Sequence, residues 1–267
     1  MPERQNGSMM NRLQLEVCVD SIGSAVSAER GGADRLELCS DLIVGGTTPC
    51  AVLYREIRRR VAIPIRVLIR PRFGDFCYSE EEFGLILGEI RLFRDLGADA
   101  VVIGCLCPDG TFDREQMKQA VDAAGPMEIT CHRAFDVCRD PFEALDLLTD
   151  LGIGTVLTSG QKRSVSEGAD LLAELVRRSA GKISVMPGGG VNAKVLRKLV
   201  PEVGAGVYHM SGKKIVESRM QYRSQEVSMG LPSLSEYEIW ETDENAVRAA
   251  RTVLDEFTEA GISPEKR

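Results

Sequence analysis

From residue 13 onward a single unit recurs: a short run rich in Val, Ile and Leu, an amphipathic stretch, then a glycine that hands over to the next run. The joints read GGAD at 31–34, LGAD at 96–99, LGIG at 151–154, SAGK at 179–182 and VGAG at 203–206. A glycine at such a joint suits a left-handed helix C-cap leading into a buried strand. Repeated alternation of this kind specifies an α/β protein with a parallel sheet.

Eight strand-like runs are predicted, at 13–18, 34–39, 64–70, 99–104, 127–133, 153–158, 182–187 and 205–210. Helix starts between them are legible. Ser79 with Glu82 forms a capping box ahead of Phe83, Ile86, Leu87, Ile90 and Phe93. Asp140-Pro141 supplies an N-cap followed by proline at the first helical position. Eight such units over about 250 residues fit a single (β/α)8 TIM-type barrel. Asp20-Ser21-Ile22-Gly23 after the first strand lacks the glycine pattern of a doubly wound nucleotide-binding fold. The expected layout is a disordered tail over 1–12 and one barrel domain over 13–267, with an extra C-terminal helix at about 244–260 opened by Asp243. The polar, Ser-rich stretch 211–242 reads as irregular, covering one barrel end or meeting another subunit.

Composition narrows the function. Lys and Arg number 33 against 40 Asp and Glu, a net charge of −7, which argues against nucleic acid or an anionic membrane as partner. No apolar run approaches the ~20 residues of a membrane span. The eight cysteines, at 18, 39, 50, 77, 105, 107, 131 and 138, include no CxxC pair, and no secretion signal precedes them. Reduced thiols in a cytoplasmic protein are expected.

Strand alternation sorts the side chains of such a barrel. With Leu15 and Val17 facing the helices, Glu16 and Cys18 point inward; with Leu36 and Leu38 outward, Glu37 and Cys39 point inward. The first two strands thus carry the same word, LExC. This predicts two carboxylates side by side, with two thiols a step nearer the C-terminal mouth. Arg66 and Arg70 on the third strand are the cations expected to offset the carboxylates. His132 and His209, the only histidines, fall near C-terminal strand ends, where barrel enzymes keep their chemistry. A buried ionic plug that merely fills the barrel remains an alternative for the charged set.

Two facing thiolates suit Cu(I), a soft ion that accepts two-coordinate binding. Small buried hydrophobes are the other reading of Cys18 and Cys39. Gly188, Gly189 and Gly190, between the seventh strand and its helix, offer backbone N–H groups to an anion, with Ser211, Lys213 and Lys214 from the eighth loop nearby. A tight turn requires the same glycines for geometry alone.

The stretches LEVCVDSIGSAVSAERGGADRLELCSDLIVGGTTP at 15–49, IRPRFGDFCYS at 69–79, CHRAFD at 131–136, LTSG at 157–160 and VMPGGGV at 185–191 resemble the CutC copper-homeostasis family. The resemblance runs through about 175 residues in the same order. It implies a TIM-type barrel, a cytoplasmic homodimer or homotetramer, and a role in copper handling, with the copper ion as partner. It also implies that Cys18 and Cys39 stand where that family's proposed Cu(I) ligands lie. Two departures mark this chain. Phe73 stands where the family motif usually has Gly, and Val207 replaces a Glu two residues before His209.

Two functions remain open from sequence. One is a copper-homeostasis protein holding Cu(I) on Cys18 and Cys39. The other is a barrel enzyme acting on a phosphorylated or sugar-like small molecule. There Glu16, Glu37, Arg70, His132 and Asp136 would do the chemistry, and Gly188, Gly189, Gly190 and Ser211 would hold the anion. A non-catalytic scaffold is disfavoured by so many titratable groups in one region.

Overall fold

The computed structural model describes residues 12–224, 229 and 235–262. All eight expected strands form: β1 (Gln14–Val19), β2 (Arg35–Leu38), β3 (Ile65–Leu68), β4 (Ala100–Ile103), β5 (Glu128–Cys131), β6 (Thr155–Thr158), β7 (Ser184–Pro187) and β8 (Val207–Met210). They pair in parallel in the order β7-β6-β5-β4-β3-β2-β1-β8. A parallel bridge from Gly188 to His209 joins the two ends and closes the sheet into a barrel.

Each strand is followed by its helix: α1 (Ile22–Arg30), α2 (Ala51–Arg58), α3 (Glu80–Asp95), α4 (Arg114–Ala124), α5 (Pro141–Asp150), α6 (Ala169–Ser179), α7 (Ala193–Val203) and α8 (Glu244–Glu259). The capping box at Ser79 and Glu82 is made in both directions, and Asp140 caps α5 ahead of Pro141. Gly204 ends α7 in the left-handed conformation at φ +70°. The C-terminal helix expected as an addition takes the eighth place in the ring, packing on both α7 and α1. The main core lies between strands and helices, where Leu15, Leu36, Leu38, Ile65 and Ile86 are all fully buried.

Residues 1–11 of the expected tail lie outside the described residues, while Arg12 pairs with Asp34 at 3.3 Å and Asp255 at 3.1 Å. The stretch 211–242, expected to be irregular, carries an antiparallel ribbon of β9 (Lys213–Glu217) and β10 (Glu238–Thr242). Ile215, Val216, Ile239, Trp240 and Thr242 give it strand-favouring side chains, a signal diluted in the sequence by the polar residues between the two segments. Lys213 lies over the Trp240 ring at 3.3 Å, so it serves the ribbon rather than the glycine loop at which it was expected.

Register is the property that sets the site. Glu16 lies opposite Arg35 and Cys18 opposite Glu37 on β2, while Glu16 lies opposite His209 on β8. The expected side-by-side alignment of Glu16 with Glu37 is therefore replaced by an offset of one inward position. Neighbouring barrel strands are staggered, and each step around the barrel shifts the inward residues relative to one another.

Candidate functional site

The interior near the C-terminal mouth is built from its fully buried carboxylate upward. Glu16 on β1 accepts a hydrogen bond from Arg35 Nε at 2.6 Å and lies 3.6 Å from Arg66 Nε. Its other oxygen is 2.9 Å from His209 Nδ1. Burial alone would push this carboxyl up. Arg35, the His209 hydrogen bond and Arg66 outweigh it and hold Glu16 down at about 2. Glu16 is thus an anion clamped on several sides.

Of the two arginines expected to neutralise the carboxylates, only Arg66 reaches Glu16; it also donates to Thr130 at 3.1 Å and pairs with Glu128. Arg35 makes the shorter contact, yet it was missed from sequence. Its signal was available, because alternation places it on the same face as Glu37 and Cys39. Arg70 instead ties loops together, donating to the carbonyls of Gly46 at 3.0 Å and Gly74 at 2.7 Å, with its guanidinium over the Phe76 ring. Among the described residues it makes no ion pair with Glu16, whose partners are Arg35, Arg66 and His209.

One step toward the mouth come Cys18, Glu37 and Cys39. The two sulfurs lie 3.6 Å apart, both thiols are free and both are buried. The Cys39 contact, burial and nearby Glu37 together push the Cys18 thiol well above its usual range. Glu37 is raised by burial, which outweighs the attraction of His209. His209 Nε2 lies 3.8 Å from Glu37. Burial would lower the histidine, but the Glu16 hydrogen bond and Glu37 raise it. The imidazole therefore links the two carboxylates that the sequence set side by side, a contact that follows from closing β8 onto β1.

These groups line a cavity of about 250 Å³ that Cys18, Glu37 and His209 share with Arg70, His132 and Phe76. His132 Nδ1 accepts from the Ala134 N–H at 3.2 Å, so the proton of the neutral ring sits on Nε2. That nitrogen is buried and has no hydrogen-bond partner among the described residues. Burial, then the Arg70 charge, hold His132 down at about 3. The ring is therefore neutral near pH 7, with its N–H on Nε2.

Gly189, Gly190 and Ser211 also line the cavity. Gly188 is taken up by the barrel closure, donating to the Thr158 carbonyl at 2.9 Å, and a Cβ there would come 2.4 Å from Leu157 Cδ1. The backbone N–H groups of Gly190 and Val191 and the Ser211 hydroxyl have no partner among the described residues. Asp136 is not among the cavity-lining residues. It accepts from Thr158 Oγ1 at 2.5 Å, Ser159 N at 2.9 Å and Arg133 Nε at 2.6 Å, fastening the loop after β5 to the loop after β6. Phe73 is largely exposed, and Val207 is buried in an apolar layer with Leu157 and Met186.

The profile of the CutC family matches residues 13–214. A family protein CutC of Parabacteroides distasonis is 46% identical over 240 residues, 88% of this chain and 98% of that protein. The human copper homeostasis protein cutC homolog is 43% identical over 244 residues, 91% of this chain and 89% of that protein. Among solved structures, a CutC protein of Streptococcus agalactiae superposes with a TM-score of 0.72 at 29% identity, covering 74% of this chain and 98% of that one. A thiamine phosphate pyrophosphorylase of Pyrococcus furiosus shares the fold alone, with a TM-score of 0.55 at 16% identity over 92% and 98% of the two chains.

Proposed function

The chain belongs to the CutC copper-homeostasis family, and from that premise we propose that it binds Cu(I) as cargo between Cys18 and Cys39. The observation that carries this reading is the 3.6 Å separation of two buried, unoxidised sulfurs, one of which lines the mouth cavity. Two thiolates alone suit Cu(I), which accepts two-coordinate binding, better than Zn²⁺, which takes four ligands in structural sites. With metal–sulfur bonds of ~2.3 Å, the length known for zinc thiolates, a linear bridge spans ~4.6 Å. Loading therefore moves the sulfurs apart by ~1 Å, within reach of side-chain rotation. Copper enters past Cys18, since Cys39 is fully buried behind it. Both thiols give up their protons on loading, as metal-bound cysteines do. A cytoplasmic setting, which keeps thiols reduced, fits this chemistry.

The test is an anaerobic Cu(I) titration of the reduced protein against a chromophoric chelator. Wild type should withdraw one equivalent, while Cys18→Ser and Cys39→Ser should each lose at least about a hundredfold in affinity, about 2.7 kcal/mol. Equal competition by wild type and the double variant would refute the thiol pair.

A second reading, an activity on an anionic small molecule, is favoured by one specific observation. The cavity is far larger than a metal ion needs, and His132 Nε2 is buried in its wall with no acceptor among the described residues. A buried donor left unsatisfied costs about 1–3 kcal/mol, a cost relieved when a ligand oxygen reaches it.

A further inference from the structure

We propose a second metal site at this end of the barrel, in which Cys18 Sγ, the Glu37 carboxylate and His209 Nε2 are three ligands for a divalent cation of the Zn²⁺ class. The site uses Cys18 but not Cys39, so the two ions would compete for that one sulfur, and the proposal does not depend on the copper reading.

Geometry is the first support. One donor atom from each residue lies within 4.8 Å of the others, and His209 Nε2 is already 3.8 Å from Glu37. Around a tetrahedral zinc with bonds of ~2.0–2.3 Å, neighbouring donors sit roughly 3.3–3.7 Å apart. The three side chains therefore need to close by at most about 1.5 Å. They stand on three adjacent strands, β8, β1 and β2, whose register brings Cys18 opposite Glu37.

The support behind the ligands is the second observation. A histidine that binds metal through one nitrogen commonly gives the other N–H to a carboxylate, which fixes the ring and raises its basicity. Glu16 occupies that position, 2.9 Å from His209 Nδ1. Held by Arg35 and Arg66, it is fully engaged as an orienting group and does not swing into the cavity. Nε2 is thereby left as the ligand atom.

Donor chemistry selects the ion. One sulfur, one imidazole nitrogen and one carboxylate oxygen form a mixed set, suited to a borderline cation rather than to Cu(I) or to Mg²⁺. All three residues line the cavity, so the fourth position faces it. Three protein ligands plus an open place is the arrangement of zinc sites that bind or activate a small molecule, in contrast to closed four-ligand structural sites.

The experiment uses the reduced full-length protein and Co²⁺ as a coloured stand-in for Zn²⁺. Wild type and Cys39→Ser should each take up one equivalent with visible ligand-field bands and a thiolate charge-transfer band. His209→Asn and Glu37→Gln should bind at least about tenfold more weakly. Unchanged binding in His209→Asn, loss in Cys39→Ser, or no one-equivalent uptake by wild type would overturn the site. Because a buried variant can misfold, zinc-edge X-ray absorption on the wild-type protein gives an independent reading. One sulfur with nitrogen or oxygen neighbours is expected, and two sulfurs or none overturns the proposal. In the same preparations His209→Asn should keep its Cu(I) affinity within about threefold, so failures of the copper reading and of this site register separately.

Discussion

His132 shows most directly how burial decides what a residue does. Set just past the C-terminal end of β5, it stands in the sequence among the residues expected to do the chemistry of a barrel enzyme. Burial and Arg70 instead hold it at about 3, against 6.5 for a free imidazole. Between those two values the unfolded chain binds a proton that the folded chain refuses. Its contribution to stability is thus intact above about 6.5 and is lost as the pH falls toward 3. The melting temperature should drop as the buffer is taken from about pH 7 to about pH 5, and His132→Asn should flatten that slope. Glu16, held at about 2 against 4.5, acts in the same direction but at lower pH, so the two contributions separate. Identical slopes for wild type and variant between pH 7 and 5 would contradict the assignment to His132. At this scale the sequence is legible where alternation governs. It identified the inward face of β1 and β2, and the same rule contained Arg35 unnoticed. It does not give the partners of Asp136 and Arg70, because those come from loops whose path no local pattern encodes.

At the level of elements, the strands and their caps follow from period and punctuation alone, and all eight fall within a few residues of the predicted runs. Register does not. Two copies of the word LExC suggest equivalent depths, yet stagger places Cys18 across from Glu37 and Glu16 across from Arg35. The bond from His209 to Glu16 joins residues 193 positions apart, and only closure of the barrel creates it. The loop from β7 to α7 shows the same division. Its glycines were legible as a turn, but their roles differ: Gly188 seals the barrel, while Gly190 and Val191, whose N–H groups have no partner among the described residues, line the cavity with Ser211. If the cavity takes an oxyanion, inorganic phosphate should give a saturable signal in calorimetry. Ser211→Ala and His132→Asn should each weaken it roughly three- to tenfold, the value of one hydrogen bond. Absence of any saturable heat with wild type would remove the anion reading.

Across the whole molecule, the barrel brings soft and hard donors to a single opening. In the two proposed sites Cys18 is the pivot, paired with Cys39 around a soft monovalent ion or with Glu37 and His209 around a divalent one. The chain belongs to the CutC family, whose human and mouse members are named copper homeostasis proteins, and the two proposals place an ion at this opening. Elsewhere the molecule is ordinary for its fold, with an apolar layer under the helices and charge pairs on the surface. The copper assignment is tested most directly by copper-edge X-ray absorption on the anaerobically loaded wild-type protein. Two sulfur neighbours and no nitrogen or oxygen in the first shell is the result expected for Cu(I) between Cys18 and Cys39. A first shell of nitrogen and oxygen, or of one sulfur with imidazole, would contradict it.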